Sequence, residues 1–115
     1  MKIIGGKNKI KIPELKKMAK KMYDTLVKTV VDVEKEVMAV DAAMHADEEV
    51  LLLEKGSKQR NLWGINIYPQ NSGDEMIEFD SMINLRPSQG NRSMGVDDPK
   101  MRKKIIKIVN KLIKK

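Results

Sequence analysis

Apolar positions change period several times along the chain, and each change marks an element. After Ile12-Pro13, the residues Leu15, Met18, Ala19, Met22 and Leu26 recur at helical spacing, with Lys16, Lys17, Lys20 and Lys21 on the opposite side. This predicts a helix over 13–25 with proline in its first turn. From Val27 the run V-K-T-V-V-D-V is β-branched and alternating, and a mixed alternation resumes after Glu34-Lys35, which predicts two strands joined by a tight turn. Acids at Asp47, Glu48 and Glu49 precede Val50 to Leu53, and Gly56 follows, as in a short helix capped by Asp47, the rival being a strand because three consecutive leucines have no clean period. Leu62 to Tyr68 alternates again, with Trp63, Ile65 and Ile67 on one face. Pro69 ends that strand and N-S-G-D supplies a turn. Asp98-Pro99 then opens a final helix over 99–113, with Met101, Ile105, Ile108, Val109 and Leu112 at helical spacing.

Between the last turn and the last helix lies the stretch that organises the rest, Ile77 to Pro99. Its first half sets Ile77, Phe79, Ser81, Ile83 and Leu85 on one face and Glu78, Asp80, Met82, Asn84 and Arg86 on the other, the pattern of a half-buried strand returning beside 62–68 as a hairpin. Its second half, Arg86 to Asp97, is a polar loop with only Met94 and Val96 to bury. With a brief edge strand at Ile3-Ile4, the order is β-α-β-β-α-β-β-α. The fold class expected is α+β, a two-layer arrangement with an antiparallel or mixed sheet and helices on one face.

Length and composition narrow the class without naming an activity. A chain of 115 residues suits a single domain, 1–115, and no repeat or linker divides it. Apolar residues make up 41% and charged residues 34%, and no apolar run approaches the ~18 residues of a membrane span. A cytoplasmic protein with no membrane partner is the expectation, since the N-terminus lacks a signal-peptide core. Cysteine is absent and His45 is the single histidine, which leaves no thiolate chemistry and almost no zinc chemistry. No cofactor and no metal site is expected.

The formal net charge of +7 changes the picture more. The last helix carries Lys100, Arg102, Lys103, Lys104, Lys107 and Lys111 and no acid, so Lys100, Lys103, Lys104, Lys107 and Lys111 form a candidate face for nucleic acid, the other reading being simple solvation of an exposed helix. Only Tyr23 and Tyr68 remain to stack on bases, so such a face would read phosphate. The Arg86–Asp97 loop offers an anion site made of Arg86, Ser88, Gln89, Gly90, Asn91, Arg92 and Ser93, with two arginine forks and backbone N–H groups. It matches no phosphate-loop pattern, and the competing reading has Arg86, Gln89 and Asn91 hydrogen-bonding the loop itself. Two catalytic readings have weaker support. Glu78 and Asp80, beside Asn66, Tyr68, Asn84 and Arg86, could hold magnesium for hydrolysis, and His45 could act as a general base, although it has no serine partner at recognisable spacing.

The strings H-A-D-E-E-V-L-L-L-E-K-G-S-K-Q-R-N-L-W-G-I-N-I-Y-P and F-D-S-M-I-N-L-R-P-S-Q-G-N-R-S-M-G-V-D-D-P resemble a family of short prokaryotic proteins of unknown function, over most of the chain from Ile12 onward. The resemblance implies a small free-standing cytoplasmic domain and assigns no catalytic or binding residue. The reading is therefore a non-catalytic domain that binds nucleic acid or a phosphorylated ligand. Two alternatives stay open. One is a protein-interaction domain, a homodimer or a binder of an acidic partner, because residues 32–54 hold eight acids while both ends are basic. The other is a small metal-dependent hydrolase.

Overall fold

In the computed structural model, which describes residues 1–114, the two alternating runs after the first helix form the sheet's centre. Strand β3 (Val27–Asp32) pairs antiparallel with β4 (Val37–Val40) on one side and with β5 (Leu62–Ile67) on the other. β1 (Lys2–Gly5) adds to β4 and β6 (Ile77–Glu78) adds to β5, giving a five-stranded antiparallel sheet in the order β1-β4-β3-β5-β6. The turn between β3 and β4 is built by Asp32, whose Oδ1 accepts the Glu34 and Lys35 amides at 2.9 and 3.0 Å. Its Oδ2 accepts the Ser57 hydroxyl at 2.6 Å, so this buried carboxylate is fully used.

Helix α1 (Ile12–Met22) and helix α3 (Pro99–Leu112) lie on one face, because their apolar stripes match the inward residues of the strands. Leu15, Met18, Ala19, Ile105, Val109 and Leu112 bury there with Ile4, Met38, Val31, Trp63, Ile65, Ile67 and Ile77. Phe79 packs partly into this core, while Met22, at the predicted helix's inner stripe, is exposed. The α+β class and the antiparallel sheet are as the pattern predicts. The arrangement of all helices on one face is not, because α2 (His45–Glu54) covers the other side. Its His45, Glu48 and Leu52 form one buried stripe, and Leu52 packs with Val30, Ala39 and Leu62, the residues of β3–β5 that alternate away from the first core. The helix starts two residues before the predicted Asp47 cap, after Met44, and ends before Gly56 at φ +96°.

The long strand predicted over 77–86 stops at Glu78, and the physical reason is on β5. Asn84 is fully buried, and its side-chain amide meets the Gly64 backbone in both directions: Gly64 N–H donates to Oδ1 at 2.8 Å, and Nδ2 donates to Gly64 O at 2.9 Å. A side chain thus makes the bonds a continuing strand would make. The segment can come this close because Gly64 has no Cβ; one placed there would sit 2.5 Å from Ser81 Cβ. Residues 81–84 therefore cross onto the second face as a one-turn 3₁₀ segment (Met82–Asn84), and Ile83 joins the Leu52 cluster rather than the first core.

The chain's two ends also meet. β2 (Ile10–Lys11) lies parallel to β7 (Ile113–Lys114), with Ile10 opposite Ile113 and Lys11 opposite Lys114. Both isoleucines are buried, so period-2 alternation turns both lysines outward side by side.

Candidate functional site

The Arg86–Asp97 loop is held by its own groups. Arg86 and Asn91 exchange backbone hydrogen bonds, closing a short loop whose 3₁₀ turn Pro87–Gln89 ends at Gly90 with φ +86°. The Gln89 and Gly90 amides donate to Arg86 O and Pro87 O at 3.0 Å each. Arg86 is buried: Nη1 donates to Gln59 O at 2.6 Å, Nη2 donates to Leu62 O at 2.9 Å, and the guanidinium lies 4.2 Å from the Trp63 ring. Burial lowers its pKa, opposed by the charge of Glu49. Asn91 is buried as well, giving Nδ2 to the Asn84, Ser93 and Gly95 carbonyls and accepting the Asp97 amide on Oδ1.

On the outer side of the loop, the Asp97 carboxylate accepts the Ser93 hydroxyl and the Arg92 amide, which hold its pKa below the usual carboxylate value. Ser88 and Gln89 are exposed, and the Arg92 guanidinium forms no ion pair among the described residues. The seven candidate anion-binding residues are therefore not gathered on one surface. Arg86 and Asn91 face inward, whereas Ser88, Arg92 and Ser93 face out, with Asp97 bonded to two of these three.

Of the candidate catalytic groups, Glu78 and His45 are similarly engaged, whereas Asp80 makes no hydrogen bond or ion pair among the described residues. Glu78 Oε1 accepts Asn66 Nδ2 at 2.8 Å and the Tyr68 hydroxyl at 2.9 Å, and Tyr68 has its pKa raised, first by burial and then by that contact. Among the described residues, no group of three or more His, Asp and Glu side chains could hold a metal ion. His45 Nε2 lies 2.7 Å from Ile65 O, and burial pushes the imidazole's pKa down.

The lysines are arranged differently. On α3, Lys100, Lys103, Lys104, Lys107 and Lys111 are all exposed, and Lys100, Lys104, Lys107 and Lys111 repeat at helical spacing along one face. Lys111 Nζ pairs with Glu36 at 2.9 Å, and that contact, with Lys104 and Lys107 nearby, lowers the Glu36 pKa. On α1, Lys21 pairs with Asp41 at 2.9 Å. Both pairs join the acidic middle of the chain to its basic ends within one molecule.

Where α3 ends, the β2–β7 ribbon adds charges that helical periodicity does not show. An open depression of about 630 Å³ is lined there by Lys7, Lys9, Lys11, Lys111 and Lys114 with Asn110 and Ile113 and, among the described residues, by no acid. Lys111 belongs to the predicted helical face; the other four lysines come from the two termini. They are brought together by a pairing between two-residue strands, which is too short to leave a sequence signal.

A family model described as a protein of unknown function, DUF5674, matches residues 2–112. The chain belongs to that family. No curated protein and no solved structure matches it. The two strings that carry the sequence resemblance lie within the matched span.

Proposed function

We propose that the protein binds the phosphate backbone of nucleic acid in the lysine-lined groove at the β2–β7 ribbon, with the lysine face of α3 extending the contact. The observation that carries this reading is the register of Lys11 against Lys114. Neighbouring strands lie about 4.8 Å apart, and like charges placed directly opposite on them are destabilising. Lys7 and Lys9 add to that repulsion, and among the described residues the one lining lysine with an acid partner is Lys111. A bound phosphate would convert the repulsion into attraction and release counterions from the polymer. No aromatic side chain lines the groove, so contact is to phosphate and not to base faces. The Arg86–Asp97 loop is left out of this reading because its inward groups are committed and the Asp97 carboxylate already accepts the Arg92 amide and the Ser93 hydroxyl on its outer side.

The test is fluorescence anisotropy of a labelled 20-base-pair duplex over a series of salt concentrations. The double variant Lys11→Gln/Lys114→Gln should weaken binding and flatten the salt slope by roughly 0.9 for each phosphate no longer neutralised. A control, Lys16→Gln/Lys17→Gln, removes the same charge from exposed positions on α1 and should leave the slope almost unchanged. Equal losses in the two double variants, or no binding at the lowest salt, would refute the groove.

A further inference from the structure

The lysine groove makes no use of the chemistry on the second face of the sheet. A cavity of about 360 Å³ opens there between the start of α2 and residues 80–83. Of nine large apolar side chains exposed on the described surface, four, Tyr23, Met44, Met82 and Met94, line this one cavity. Scattered exposed apolar residues are ordinary; four gathered around a polar floor are the usual anatomy of a small-molecule site.

The floor has a definite hydrogen-bonding sense. His45, 7% exposed, donates from Nε2 to Ile65 O, so in the neutral imidazole favoured by its burial Nδ1 is an acceptor, and it has no partner. Asn66, 4% exposed, is oriented by its Nδ2 bond to Glu78, and its Oδ1, without a partner among the described residues, is closed off beneath the cavity. Asp80 makes no hydrogen bond or ion pair among the described residues and adds an exposed carboxylate. Lys28 supplies the one cation, held 5.2 Å from the centre of the Tyr23 ring. His45 Nδ1 and the Asp80 carboxylate are two acceptors open to a ligand, and they call for one with N–H donors. Walls of thioether and phenol favour a flat, polarisable ring over an alkyl chain.

We propose that this cavity binds an amino-substituted heteroaromatic ring of the nucleobase type, its exocyclic amine directing one N–H to His45 Nδ1 and the other to Asp80, and its ring face against Met82, Met94 and Tyr23. This inference stands apart from the lysine groove, since it uses the opposite face of the sheet and requires no phosphate.

The test is a chemical-shift titration of the isotopically labelled full chain with adenosine, with inosine, which lacks the exocyclic amine, and with n-butylamine, which lacks the ring. Adenosine should shift the amides of Ala46, Asn66 and Met82 and the methyls of Met44, Met82 and Met94. Inosine should bind roughly tenfold more weakly, the cost of leaving a site acceptor unpaired, and butylamine should leave these signals in place. Asp80→Ala and Met82→Ala alter exposed side chains, so both should fold with an unchanged unfolding midpoint while weakening adenosine. The proposal is overturned if inosine or butylamine matches adenosine, if adenosine at millimolar concentration moves none of these signals, or if both folded variants bind as the parent does.

Discussion

Replacing Asn84 by alanine should be among the most damaging single changes in this chain, although the position is polar and lies outside the regular strands. Its amide satisfies Gly64 N–H, Gly64 O and Met94 O at 2.8, 2.9 and 2.9 Å, and Asn84 is entirely buried. Truncation leaves both Gly64 groups without a partner, while Met94 O loses one of its two bonds and keeps the Ser81 amide at 2.9 Å. An unsatisfied buried polar group costs about 1–3 kcal/mol, and since relaxation reduces the sum for two such groups, a net loss of roughly 2–4 kcal/mol is expected. That is a large share of the ~5–15 kcal/mol typical of a whole domain. Urea unfolding followed by the fluorescence of the single tryptophan, Trp63, measures it directly. The Gly64 amide should also lose its protection from hydrogen exchange. Asn84→Asp is the stricter control, because a carboxylate keeps the acceptor for Gly64 N–H but opposes two carbonyls where Nδ2 donated. It should rescue nothing. A loss below about 1 kcal/mol for the alanine variant, or an aspartate variant as stable as the parent, would show that these bonds do not hold the segment on β5.

Three further outcomes follow from the same geometry. Gly64→Ala forces a Cβ to 2.5 Å from Ser81 Cβ and Oγ and should cost roughly 1–3 kcal/mol, with Ser81→Gly restoring most of it in the double variant; an unfolding midpoint like the parent's would refute the close approach. Arg86→Ala should destabilise by roughly 2–4 kcal/mol, and Arg86→Lys should recover little, because an ammonium cannot bond Gln59 O and Leu62 O as a fork while stacking on Trp63; full recovery with lysine would mean charge alone matters there. Glu48 is fully buried without a hydrogen bond of good geometry, and burial pushes its pKa from 4.5 up to about 10. The folded state therefore holds a proton that the unfolded chain releases, so this group's stabilising effect is complete below pH 4.5 and is lost progressively up to about pH 10. Glu48→Gln should remove that decline, whose slope is at most about 1.4 kcal/mol per pH unit; a variant with the parent's pH profile would contradict the assignment.

The sequence carried the helices because α1 and α3 each bury a stripe of period 3.6 and expose lysines opposite, a pattern that survives any packing partner. It carried β3, β4 and β5 for the analogous reason at period 2. Alternation failed after Glu78, where Ile77 and Phe79 turn to one core and Ile83 to the other while the period continues unbroken through the crossover. The lone glycine in β5 was the available signal, since glycine inside a strand marks a close approach, but its partner Asn84 looked like any outward polar residue. The placement of α2 was hidden for a related reason. β5 reads as half-polar through Gly64 and Asn66, yet all six of its residues are buried once α2 and residues 81–84 cover its second face. The groove was legible only in part: the basic face of α3 is plain in the pattern, but Lys7, Lys9, Lys11 and Lys114 come together only through the meeting of opposite ends of the chain.

The claim that this groove receives a phosphate backbone is tested most directly by a chemical-shift map of the full chain titrated with a short DNA duplex at low salt. The account predicts that the largest changes fall on the amides of Lys9, Lys11, Asn110, Lys111 and Lys114, with Gln89 to Ser93 unmoved. Changes centred on Gln89 to Ser93, or spread evenly over all exposed lysines including Lys16 and Lys17, would contradict it.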